Sequence, residues 1–62
     1  MPNDKEITSV IEKLDEMGLE YREISDIGVK LGISRDTMQT LIKQYHKERI
    51  DRAVKLIGTY SA

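Results

Sequence analysis

Hydrophobic and polar positions repeat with a helical period almost from the start of the chain. Ile7, Val10, Ile11, Leu14 and Met17 fall on one stripe, which predicts a first helix over residues 4–17. Asn3 stands where an N-cap is needed, and Glu6 can complete a capping box. Asp4 and Glu6 also suit the positive end of the helix dipole. Gly18 is placed for a left-handed cap, with Leu19 as the apolar residue that follows it. Residues 18–22 then read as a short connection.

A second helix is predicted from Arg22 or Glu23 to Leu31, with Ile24, Ile27 and Leu31 inward. Gly28 inside that helix costs ~1 kcal/mol relative to Ala, which suggests close approach by the next helix. Gly32 ends the second helix, because glycine takes positive φ freely. Ile33 plugs the turn, and Ser34 is a natural N-cap for a third helix. Met38, Leu41, Ile42 and Tyr45 continue the apolar stripe. Ile50, Ala53, Val54 and Ile57 form another, extended by Tyr60 and rotated by roughly a quarter turn at about 100° per residue. Either a separate C-terminal helix covers about residues 47–57, or one long helix changes packing partner. The i,i+4 pairs Lys47–Asp51, Glu48–Arg52 and Asp51–Lys55 favour a long or slightly broken helix through Leu56. Gly58 is expected to end it, leaving Thr59–Ala62 frayed. No strand pattern or internal repeat interrupts this all-α, single-domain reading of residues 1–62.

Composition narrows the chemistry. At 62 residues the chain buries only ~60% of its unfolded surface, so stability must come from helix packing or a second subunit. It has no cysteine and one histidine, which leaves no disulfide and no ligand set for structural zinc. No apolar run approaches the ~18 residues of a membrane span. The polar N-terminus is unlike a secretory signal, so the expected location is cytoplasmic. The net charge of −1 conceals an asymmetry. Residues 1–23 carry seven acids and three bases, whereas residues 24–62 carry four acids and seven bases. A basic half points to a polyanion partner, although small helical domains also segregate charge by chance.

The run Ile24–Lys43 carries a resemblance. Gly28 occupies a small-residue site and Gly32 a turn. Ile27, Leu31, Ile33, Met38 and Leu41 occupy apolar sites at fixed offsets. The stretch resembles the helix-turn-helix of DNA-binding proteins. Leu31–Thr37 is similar to the start of the recognition helix in phage repressors and resolvase-type domains. The resemblance covers about a third of the chain and singles out no one family. It implies a trihelical core whose recognition helix, residues 35–46, enters the major groove of double-stranded DNA.

The candidate DNA-contacting residues are Ser34, Arg35, Asp36, Thr37, Gln39, Thr40, Lys43 and Lys47. Gln39 suits an adenine edge and Arg35 a guanine or a phosphate. Ser34, Thr37 and Thr40 can donate to phosphates, while Lys43, Lys47 and Arg49 can follow the backbone. Asp36 is discordant unless it stabilises the helix start or accepts from cytosine. Each of these residues also has a plainer role on a solvated helix face. The stripe Ile50, Ala53, Val54 and Ile57 is either a homodimer surface or a face packed on the first helix.

Catalysis has little support. His46 has no recognisable nucleophile beside it, the carboxylates are unpaired, and the glycines form no phosphate loop. No cofactor, metal or enzymatic activity is expected. The leading expectation is a dimeric DNA-binding regulator of transcription, recombination or replication, suited to a phage, plasmid or mobile element. Its two recognition helices would enter successive major grooves. The rival is a module or inhibitor that binds a protein partner through its acidic first helix or its C-terminal stripe. A third option is a domain of a larger enzyme, against which the initial Met and self-contained caps argue.

Overall fold

The computed structural model describes the backbone of residues 3–61 and the side chains of residues 3–59. The protein is all-α, with three helices: α1 (Asp4–Glu16), α2 (Tyr21–Lys30) and α3 (Arg35–Ser61). Asn3 has extended backbone, and its side chain accepts from the Glu6 N–H at 2.9 Å, so the expected N-cap forms. α1 and α2 end in the same way. Gly18 and Gly32 both take φ of +91°. Gly18 N–H donates to Asp15 O and Leu19 N–H to Leu14 O; Gly32 N–H donates to Val29 O and Ile33 N–H to Gly28 O. These paired bonds satisfy otherwise orphaned carbonyls and turn Leu19 and Ile33 back onto the core.

The core lies where α1 and α2 straddle the first half of α3. Ile7 and Ile11 of α1, Ile24 of α2, and Met38, Leu41, Ile42 and Tyr45 of α3 are buried. Gly28 is the point of closest approach. A Cβ built there would lie 2.6 Å from Met38 Cγ and nearer still to its sulfur. That contact is why a side chain is absent from the middle of α2.

Three expectations need correction. Leu31 is 66% exposed rather than inward. It is the C-cap of α2, at the lip of an apolar groove, and Gly28 and Ile24 take the inner row. Val10 and Met17 are also exposed, because only the Ile7–Ile11–Leu14 edge of α1 turns toward α3. Finally, α3 is one helix to Ser61. The long helix that the i,i+4 pairs favour does form, with no separate segment at about 47–57, but it does not stop at Gly58, whose missing side chain does not interrupt the backbone bonds. Ala62 and the side chain of Tyr60 lie outside the described residues.

α3 has 27 residues and outruns its partners, so the molecule measures 45 × 21 × 16 Å. Ile50, Ala53, Val54 and Ile57 are exposed and do not pack on α1. Among the described residues, no helix is long and apolar enough to cross a membrane.

Candidate nucleic-acid interface

The first turn of α3 is held by its own side chains. Ser34 Oγ accepts from the Thr37 N–H at 3.2 Å and donates to Thr37 Oγ1 at 2.8 Å. Two of the three hydroxyls expected at phosphates, those of Ser34 and Thr37, are thus engaged with each other at the helix start. Arg35 reaches back to α2, pairing with Asp26 at 3.1 Å and donating to the buried Ser25 Oγ at 3.4 Å. Both partners of the ion pair are about half exposed, so it is worth ~1 kcal/mol or less and Arg35 is released at little cost.

The remaining candidates separate onto two faces. Arg35, Gln39 and Lys43 line an open groove between the start of α2 and the first half of α3, with Tyr21, Arg22, Ser25 and Ile42. Three cations meet there, and no carboxylate is in the lining. Asp36, Thr37 and Thr40 line a different hollow, shared with Asp4 and Leu41. That side is acidic, so Asp36 is not isolated among bases. Lys47 is exposed one turn beyond Lys43.

Arg22 is the residue that sequence reasoning missed. It was placed at the edge of a connection, but α2 begins at Tyr21 and puts Arg22 in its first turn. Glu20 caps α2 with extended backbone and no side-chain bond, so the usual N-cap signature was missing. The usable signal was Tyr21 itself, three residues before Ile24.

Arg49, expected along a DNA backbone, is exposed and turned toward α1 and the start of α2. It pairs with Asp15 at 3.2 Å and donates to Tyr21 Oη at 3.5 Å. The Tyr21 hydrogen bond first, then the Asp15 charge, holds its guanidinium above the usual range. Tyr45 donates to the same Asp15 carboxylate at 2.7 Å. Burial first, and this bond second, pushes the Tyr45 phenol up to about 12. Tyr21 Oη lies 3.0 Å from His46 Nδ1, with the two rings edge to face at 5.3 Å. His46 thus belongs to a polar latch joining α3 to α1 and the start of α2. Among the described residues, no cluster of three or more His, Asp or Glu side chains is placed to hold a metal.

No family model, curated protein or solved structure matches the chain.

Proposed function

We propose that this chain is a small protein that binds double-stranded DNA as a homodimer. The observation that carries the reading is the groove lined by Arg22, Arg35 and Lys43 around Gln39, whose nearest acid is the Asp26 paired with Arg35, beside a helix exposed along its outer arc. An α-helix fits the ~12 Å major groove. The glycine turn between α2 and α3, with Gly28 beneath Met38, is the packing expected of a helix-turn-helix of the repressor and resolvase kind. In this reading Gln39 and Lys43 meet base edges and phosphates, Arg22 and Arg35 neutralise phosphates, and Lys47 extends the track. Ser34 and Thr37 set the helix start, and Asp36 and Thr40 border the contact. Such a protein would act in the cytoplasm on transcription, recombination or replication, as in a phage, plasmid or mobile element.

Three or four phosphate contacts per subunit give weak, salt-sensitive binding, so a second subunit matters. The stripe Ile50, Ala53, Val54 and Ile57 supports it: each large side chain there gains about 1.5–3 kcal/mol on full burial.

The test is a salt titration with short random duplexes. Arg22→Ala with Lys43→Ala should weaken binding and lower the slope of log K against log salt by about 2, at roughly 0.9 per phosphate. Equal binding by this variant, or no binding by the wild type at low salt, removes the reading. In that event the rival is a protein partner. It is favoured by the apolar groove of about 290 Å³ between α1 and α2, with Val10 and Leu31 at its open edge. Its lining is almost wholly apolar, which suits inserted apolar side chains.

A further inference from the structure

We infer, on the strength of the DNA-binding reading above, that Asp26 is a built-in competitor for Arg35: its carboxylate sits on the guanidinium where a phosphate would, and so holds down binding to every sequence. The pair joins α2 to the first residue of α3 across the glycine turn. Arg35 Nη2 donates to Asp26 Oδ1 at 3.1 Å, and Nη1 donates to Ser25 Oγ at 3.4 Å.

A phosphate asks for the same donors, because carboxylate and phosphate oxygens both accept from the guanidinium fork. Ser25 is buried, whereas the side chains of Arg35 and Asp26 are half-exposed, so a ligand can reach the pair. Arg35 lines the groove with Arg22, Gln39 and Lys43, and the residue that Asp26 holds therefore belongs to the surface offered to DNA. Among the described residues, ion pairs join Arg35 to Asp26 and Arg49 to Asp15, and neither involves Arg22 or Lys43. Asp36, the other acid near the start of α3, lines a different hollow.

One carboxylate opposes binding twice. Moving Arg35 to a phosphate breaks the pair, and it leaves an uncovered negative charge beside the DNA. Both effects are independent of sequence, because neither involves a base edge. Asp26 is thus the repulsive element that a specific binder sets against unspecific sites, where no base contact makes up the loss. The freed carboxylate also takes up a cation as Arg35 neutralises a phosphate, so Arg35 adds little to the salt dependence.

The test is a two-by-two comparison on short random duplexes at about 0.05 M salt. Asp26→Asn is made in wild type and in Arg35→Ala, with the helicity of each variant checked by circular dichroism. It should tighten binding about tenfold in wild type and about twofold in Arg35→Ala; the ratio, about fivefold, is the upper worth of an exposed ion pair. In the wild-type background it should also steepen the slope of log K against log salt by up to ~0.9, the value of one phosphate. Asp26→Glu, which keeps the charge, should bind within about twofold of wild type. Equal tightening by Asp26→Asn in both backgrounds leaves Asp26 a mere neighbouring charge and overturns the inference. Weaker binding by Asp26→Asn overturns it too, since Asp26 then orients Arg35 for its contact. No binding to a duplex by wild type and Asp26→Asn alike removes the DNA-binding reading itself.

Discussion

Gly28 shows how much one absent side chain can determine. Adding a methyl group there gains ~1 kcal/mol of helix propensity. It also forces the buried Met38 side chain aside, and overpacking of this kind costs about 1–3 kcal/mol. Gly28→Ala should therefore lower the unfolding free energy by about 1 kcal/mol, read as a shift in urea midpoint. Gly58→Ala should move monomer stability the other way, since no clash opposes the propensity gain. Tyr45 provides a pH-dependent case. Its phenol titrates at about 12 in the folded protein against an ordinary value of 10, so its neutral form is the one folding favours. The associated stability is complete below pH 10 and is lost as pH rises through 12. Removing the bond to the Asp15 carboxylate with Tyr45→Phe should cost about 1.5–3 kcal/mol at neutral pH. The gap between wild type and variant should close across that alkaline window in parallel urea titrations. Neither the Asp15 partnership nor the Arg49 pair was legible in the sequence, because the residues stand about thirty positions apart and no local pattern connects them.

At the scale of elements, legibility followed local chemistry. The first helix was readable because Asn3, Glu6 and Gly18 announce its ends through bonds made within a few residues. The turn at Gly32 was readable for the same reason. The start of α2 was not, since Glu20 adopts the backbone of an N-cap without supplying the bond. Glu20→Ser should supply it and raise stability by about 0.5–1 kcal/mol, measured by thermal unfolding. α3 ran past Gly58 because one glycine weakens a helix without removing a donor, unlike proline. Leu31 had the right spacing for burial, but a residue at the cap of a ten-residue helix has little left to pack against. The candidate interface was half legible. Helical spacing located Gln39 and Lys43, while the joining of Arg22 to Arg35 depends on how α2 crosses α3.

The whole molecule keeps Glu12 and Glu16 out of the groove of Arg22, Arg35 and Lys43, and that bears on whether the acidic first helix opposes DNA. Glu12 and Glu16 line a hollow with Asp15, Tyr45, Arg49 and Arg52, away from the groove of Arg22, Arg35 and Lys43. The body is 16–21 Å across its shorter axes. At physiological ionic strength the Debye length is ~8 Å, so an exposed carboxylate that does not touch the ligand is largely screened from it. At 0.01 M it is ~30 Å, longer than the molecule is thick. Neutralising both residues, as Glu12→Gln with Glu16→Gln, should thus tighten binding to a duplex several-fold near 0.01 M salt, a shift of about 1 kcal/mol, and leave it unchanged near 0.15 M. Lys43→Ala should weaken binding at both, because its charge acts at contact distance. Anisotropy titrations at the two salt concentrations separate the cases. An equal effect of the Glu12 and Glu16 changes at high salt would mean that α1 itself touches the nucleic acid, and would move the interface to α1.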